Sequence, residues 1–390
     1  MKTATRRIIS FFMVIITIAV LLVACSRKQT QDNNADEPEV SVVRVSDILI
    51  RVMPDQMSDG VIRVAVVRNL TNSDHTRLFL SGCILEGIAL GFEVDTFITD
   101  GDNARCQEII SQVIEDGYDG IILSHGEGGY TYNSLLPAVM KGIKVVTFDS
   151  VPYENGDFNN ALLQGCTSTA QEDSALAELS LNSIIEYFDE AKQPIRVIRT
   201  WMGPDIPPMD RRKVVYDRFV AEGKIVEVAV VDPADYSDPR GGAGDALAAL
   251  LPHFPLGTVD AIWGSYDELA KGCLDALNAA GRSDIKIMSI DISDNNIRLM
   301  LDNDDVWIST AAVDPRLIGI VNMRLLAAKF AGEATPDTFN FDAQLIETSL
   351  LNTSVNMSNI ARVVENWGQE NGLFDDYWWM DELKALTYTY

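Results

Sequence analysis

The chain has 390 residues, enough for two domains of ordinary size that each bury a core. Its composition, 47% hydrophobic and 23% charged, excludes a mostly disordered polymer. With 57 Asp and Glu against 31 Lys and Arg, the net charge is −26, which repels phosphate and excludes sequence-independent nucleic-acid binding.

At the N-terminus, Lys2, Arg6 and Arg7 precede an almost unbroken apolar run from Ile8 to Leu22, as in a secretory signal. Leu22-Val23-Ala24-Cys25 resembles a bacterial lipobox, which implies removal of residues 1–24 and a lipid thioether on Cys25. The apolar run is shorter than the ~20 residues a spanning helix prefers, which argues against a retained anchor. Residues 25–60 read as a lipid-anchored tether. Within them 26–40 are polar without apolar periodicity, and 41–60 fit an extra strand followed by a loop. These features predict an exported protein held at the bacterial cell envelope, on the periplasmic or outer-surface side.

From Val61 short β-branched runs alternate with longer segments of helical period. Strands are predicted at 62–67, 93–98, 119–123 and 143–148, with helices at 78–90, 104–116 and 132–141 between them. In the first helix Phe79, Gly82, Ile84, Gly87 and Ile88 form a face suited to a sheet. A second series follows, with strands at 195–200, 225–231, 259–263, 285–290 and 306–312. Its helices are at 173–188, 210–222, 243–251, 267–279 and 315–331. Such repetition builds parallel sheets covered on both faces. The expected fold class is therefore α/β, with two doubly wound lobes. Ligands of such sheets bind beyond the carboxyl ends of the strands, so residues just after each strand are the candidate site.

The remaining cysteines, Cys83, Cys106, Cys166 and Cys273, show neither CxxC pairing nor zinc-like spacing. They read as packed free thiols, with a Cys83–Cys106 disulfide as the alternative if two neighbouring helices carry them. No GxSxG, HExxH or GxxxxGK[ST] motif occurs, so hydrolase, zinc-peptidase and P-loop chemistry lack their usual starting points. No enzyme, cofactor or metal site is expected. The glycines of Arg240-Gly241-Gly242-Ala243-Gly244 fit either an anion cradle or a flexible loop. The acidic stretches 100–103 and 302–305 read as solvated turns.

The order and spacing of Asp119-Gly120-Ile121-Ile122-Leu123, Gly142-Ile143-Lys144-Val145-Val146-Thr147-Phe148-Asp149, Ala261-Ile262-Trp263-Gly264-Ser265-Tyr266-Asp267-Glu268 and Ile290-Asp291 carry a resemblance. From about Val61 to Thr348 the chain resembles the type I periplasmic-binding-protein family, in the branch of ribose- and galactose-binding proteins of sugar ABC importers. The resemblance implies two lobes joined by a three-segment hinge. The first would hold 61–163 and 314–338, and the second 164–313 and 339–360, with a C-terminal extension at 361–390. The crossings are expected near 164–167, 312–314 and 339–341.

The resemblance also implies site residues. Asp149 matches a first-lobe aspartate that accepts from sugar hydroxyls, Arg212 a second-lobe arginine that donates to them, and Asp291 a second-lobe aspartate. Tyr236 stands at an aromatic position over one sugar face, and Tyr266 at a hydroxyl-binding position. Asn69, Asn103, His75 and His125 are loop candidates, and Trp201 and Trp263 at strand ends are candidates for stacking. Asp149 and Asp291 also suit helix N-caps, Arg212 a solvated charge, the two histidines loop side chains and the two tryptophans core packing. The family's paired phenylalanines are replaced by His75 and Thr76, so a ribose-type specificity does not follow. Trp367 and Tyr377-Trp378-Trp379 in the extension suit either packing on the host lobes or docking to a partner.

The function implied is capture of a small polar ligand, a monosaccharide or polyol, by a monomer that delivers it to an ABC permease. The alternative is a sensor that docks on a chemoreceptor or histidine-kinase ectodomain.

Overall fold

The computed structural model describes residues 61–188, 192–203, 206–234, 236–368 and 372–387, together with residues 54 and 57. The signal, Cys25 and most of the tether lie outside the described residues. No helix among the described residues is long and apolar enough to cross a membrane.

The first half runs β1 (Arg63–Arg68), α1 (Asp74–Ala89), β2 (Glu93–Ile98), α2 (Asn103–Glu115), β3 (Gly120–Ser124), α3 (Gly128–Met140), β4 (Lys144–Phe148) and β5 (Cys166–Gln171). The second runs α4 (Asp173–Tyr187), β6 (Ile195–Thr200), α5 (Pro207–Ala221), β7 (Ile225–Val231), α6 (Pro239–Leu250), β8 (Ala261–Gly264), α7 (Asp267–Ala280), β9 (Lys286–Ile290), α8 (Asp294–Asp302) and β10 (Trp307–Ala312). Then come α9 (Pro315–Phe330), β11 (Thr338–Phe341), β12 (Gln344–Glu347) and α10 (Trp378–Thr387).

Two six-stranded sheets result, ordered β11-β5-β4-β3-β1-β2 and β12-β10-β9-β8-β6-β7. Every pairing is parallel except β10 with β12. The central strands β3 and β4 are apolar on both faces and almost fully buried, as parallel strands between helices must be.

The first crossing differs from the expected one near 164–167. Cys166–Gln171 is a strand of the first sheet, paired with β4 and β11, and the chain passes to the second lobe only at Glu172. Small and hydroxylic residues hide this strand from hydropathy. Its polar groups are satisfied internally: the Thr169 hydroxyl, for example, lies 3.0 Å from both the Thr147 carbonyl and Asn322 Oδ1. The chain returns after β10 and crosses a last time between β11 and β12.

α1 packs chiefly on α9, not on the sheet alone. A Cβ on Gly82 would fall 2.1 Å from the Arg316 carbonyl oxygen, and one on Gly319 2.2 Å from that of Phe79, so glycine permits backbone contact between these helices. Ile88 of the anticipated apolar face is therefore exposed, while Glu86 is buried against Arg324 at 2.7 Å. α2 and α3 cover the opposite face of this sheet from α1 and α9, and Cys83 and Cys106 are accordingly both buried and free. Cys166 and Cys273 are buried free thiols as well.

The glycine cluster after Arg240 is neither a loop nor a cradle. It forms the first turn of α6, capped by Asp238, and lies against α7, where a Cβ on Gly272 would meet the Arg240 carbonyl at 2.1 Å.

The C-terminal stretch does not begin a separate extension at 361. Leu351, Val355, Met357, Ile360, Val364 and Trp367 belong to the second-lobe core. α10 instead docks on the first lobe, with Trp379 and Met380 buried and Lys384 2.9 Å from Glu86. Packing on the host thus accounts for Trp367 and Trp379.

Candidate functional site

The carboxyl ends of both sheets meet around a cavity of about 380 Å³. Asp149 follows β4, His125 follows β3, Asn69 follows β1 and Asn103 opens α2. From the other lobe Asp291 follows β9, Tyr266 follows β8, Tyr236 lies between β7 and α6, and Arg212 comes from the second turn of α5. These residues line the cavity, as does His75 from the start of α1. The lobes are shut around it: Arg211 Nη2 lies 3.2 Å from Asp149 Oδ1, and the Ser293 hydroxyl donates to Asp74 Oδ2 at 3.2 Å.

The two tryptophans do not line it. Trp263 is fully buried in the second lobe, stacked on Tyr216 at 5.0 Å, with its indole N–H donating to Ser180 Oγ at 2.9 Å. Trp201 lies under the Arg199 guanidinium at 4.7 Å and packs on the same lobe's core.

Asp149, Asp291 and His125 have φ of 49°, 76° and 61°, a left-handed conformation that costs about 1–3 kcal/mol at a non-glycine residue and clusters at ligand clamps. Neither aspartate caps a helix, since Ser293 caps α8 and no helix starts at 150. Arg212 is 3% exposed and donates from Nε to Asp173 Oδ1 at 2.7 Å and from Nη1 to the Ser265 carbonyl at 2.7 Å. It is not a solvated charge.

Several lining or supporting residues were not legible as site residues. Arg68, the last residue of β1, is fully buried and organises both histidines. It donates from Nη2 to His75 Nδ1 at 2.9 Å and from Nη1 to His125 Nδ1 at 3.2 Å. Burial, with Arg68 next, drives both imidazoles well below the ordinary histidine range, so both are neutral. Because each Nδ1 faces a donor, the proton of each ring sits on Nε2. Gln171 was missed with its strand. Arg211 and Asp173 were not singled out from the sequence, yet Asp173 accepts from both Arg211 Nε at 2.9 Å and Arg212. A lone charge ending an apolar strand, as Arg68 does, was the available signal.

Three guanidinium groups (Arg68, Arg211, Arg212) face three carboxyls (Asp149, Asp173, Asp291), and Asp100 and Glu127 also line the cavity. Burial, then the neighbouring Asp173 carboxylate, pushes Asp149 up to about 7. Burial likewise pushes Asp291 up to about 6, with Asp267 and Asp173 adding to it and Arg212 opposing.

Four buried atoms of lining residues have no hydrogen-bond partner among the described residues: His75 Nε2, Asp149 Oδ2, Gln171 Oε1 and Asp291 Oδ1. His75 Nε2 donates, Gln171 Oε1 accepts, and the two carboxyl oxygens accept when ionised. Orphaned groups of this kind, converging from both lobes, match a ligand that offers several hydroxyls.

A family model described as a periplasmic binding protein domain matches residues 64–334. A crystal structure of a sugar ABC transporter from Yersinia enterocolitica is 37% identical, covering 86% of this chain and 98% of that one, with a TM-score of 0.79. A 5-methylthioribose transporter solute binding protein from Thermotoga lettingae, in complex with 5-methylthioribose, is 24% identical over 86% and 98%, with a TM-score of 0.72. A carbohydrate transporter solute binding protein from Agrobacterium radiobacter, in complex with D-arabinose, shares the fold at 14% identity over 79% and 100%, with a TM-score of 0.66. No curated protein matches.

Proposed function

Since the chain belongs to the periplasmic binding protein family, we propose that it is an extracytoplasmic solute-binding protein that captures an uncharged monosaccharide or polyol and delivers it to an ABC permease. The observation that carries this reading is the shut cavity on which buried polar atoms without hydrogen-bond partners among the described residues converge from both lobes. A neutral polyhydroxylated guest satisfies those atoms without adding charge, and hydrogen bonds to ionised partners are about twice as strong as neutral ones. The sugars bound by the Thermotoga and Agrobacterium proteins support the same class of ligand. In this reading the protein makes and breaks no covalent bond. The ligand bridges Asp149 and Gln171 of one lobe to Asp291 and Arg212 of the other, and stabilises the shut form by its differential affinity for it.

A thermal-shift screen of sugars, polyols, nucleosides and amino acids tests this. A sugar present at 100-fold its Kd adds about 2.7 kcal/mol to stability, several degrees of melting temperature. A shift produced by amino acids and by no carbohydrate overturns the assignment.

The lipobox-like Leu22-Val23-Ala24-Cys25 supports tethering to the membrane through a lipid on Cys25. Cys25→Ser is expected to move the protein from the membrane fraction to the soluble one. Unchanged membrane association would refute a thioether anchor.

A further inference from the structure

We infer that Arg68 is a positioning residue that fixes the direction of hydrogen bonding at the first-lobe floor of the site. It holds His75 as a donor from Nε2, so that the floor selects a sugar oxygen that accepts. This deepens the sugar-binding reading and rests on it.

Arg68 ends β1 and is fully buried, yet none of its hydrogen bonds among the described residues goes to a carboxylate. Burying a cation without a directly paired anion is costly. Its N–H groups go instead to neutral acceptors: Thr76 Oγ1 at 3.4 Å, Ser124 Oγ at 2.5 Å, His125 Nδ1 at 3.2 Å and His75 Nδ1 at 2.9 Å. Two stacked rings fix the guanidinium, whose carbon lies 4.8 Å from the Phe79 centroid and 5.7 Å from that of Phe148.

A guanidinium only donates, whereas a hydroxyl or amide in its place could donate or accept. Each Nδ1 that faces it must therefore accept, and the hydrogen of each ring is forced onto Nε2. The Ser124 hydroxyl acts in the same sense. Its oxygen accepts from Arg68, which leaves its hydrogen for His125 Nδ1 at 2.9 Å.

His125 Nε2 lies 3.6 Å from Asp149 Oδ2 and so faces another group of the site. His75 lines the cavity, and its buried Nε2 has no partner among the described residues. It is the free donor. A guest atom placed against it must accept, because a C–H there would leave the buried N–H unpaired. Ionised Asp149 and Asp291 make the opposite demand, since a hydroxyl that meets them must donate.

The test reads the rings first and the binding second. The chain has three histidines, and His253→Gln at an exposed position leaves His75 and His125 as the only imidazoles. In nitrogen-15 spectra of the unliganded full chain both rings are expected as neutral Nε2–H tautomers. With Arg68→Met at least one ring should become a mixture of tautomers. Arg68→Lys, which keeps the charge on one ammonium in place of a fork, should do the same if the methionine variant does not fold. Calorimetric titration with D-ribose, D-arabinose, D-galactose and xylitol is the second arm. For whichever of these binds the wild type, His75→Phe is expected to weaken binding about tenfold or more. His75→Gln, whose amide N–H stands in for Nε2–H, should stay within about threefold. Wild-type rings protonated at Nδ1, or tautomers unchanged by both Arg68 substitutions, would remove the positioning role. Equal affinities of the phenylalanine and glutamine variants would remove the floor donor and leave the sugar reading standing. If none of the four compounds binds, the sugar reading falls, and the spectra alone still decide what Arg68 does.

Discussion

Asp149→Asn is expected to weaken ligand binding by roughly 30- to 150-fold without lowering the stability of the unliganded protein. The Oδ2 atom of Asp149 is buried with no hydrogen-bond partner among the described residues, His125 Nε2 lying 3.6 Å away, and a hydrogen bond to a charged group contributes about 2–3 kcal/mol. Asparagine is the informative substitution because it tolerates the residue's φ of 49°, where alanine would add strain. Arg211 keeps Asp173 as its partner in the variant. A Kd within threefold of wild type by calorimetric titration would remove Asp149 from the site. A large loss of unliganded stability would make its role structural.

The same variant carries a pH signature. The carboxyl of Asp149 is pushed up from 3.8 to about 7, so its contribution to stability is complete below its ordinary value and is lost as pH rises through 7. His75 and His125 act in the opposite sense: held neutral, they contribute above their ordinary 6.5 and lose that contribution as pH falls. Between pH 6.5 and 8 the two effects nearly cancel, each moving stability by roughly 0.8 kcal/mol. The unliganded wild type should therefore change little over this window by urea denaturation, while Asp149→Asn, left with the histidines alone, should gain roughly 0.8 kcal/mol from pH 6.5 to pH 8.

The largest loss of stability is expected from Asp173→Ala. Asp173 is 1% exposed at the start of α4 and holds Arg211 and Arg212 of α5 together. Removing one partner of a buried ion pair leaves an uncompensated charge, which costs about 3–5 kcal/mol. Here the stranded group is Arg212, itself buried, with the Ser265 carbonyl and the more distant Asp291 carboxylate as its other partners. The urea midpoint should fall sharply with an unchanged slope. A change below 1 kcal/mol would show that Ser265 and Asp291 suffice to hold the guanidinium. The two substitutions separate the roles of neighbouring carboxyls: Asp149 faces the cavity, and Asp173 holds the arginines that face Asp149.

Much of this protein was legible before any coordinates. Leaving water is a property of one segment at a time, so the apolar runs at 119–123 and 143–148 read as buried strands, observed at 120–124 and 144–148. The rule that parallel sheets bind ligand beyond their strand ends, together with the family resemblance, pointed to Asp149, Asp291, Tyr266 and Asn69, which line the cavity. Tertiary structure decided what depends on pairs. Cys166–Gln171 is a strand only because β4 and β11 satisfy its hydroxylated backbone, and Gln171 reaches the cavity through it. Ile88 faces solvent because the glycines of α1 and α9 let those helices meet. Trp263 lies at a strand end like the site residues, yet its indole is committed to Tyr216 and Ser180. The pairing of Arg68 with two histidines, and of Asp173 with two arginines, joins segments far apart in the chain or on separate helices. Hydropathy and spacing record which residues bury; which buried charges meet is set by the folded chain, where desolvation makes every unpaired group expensive.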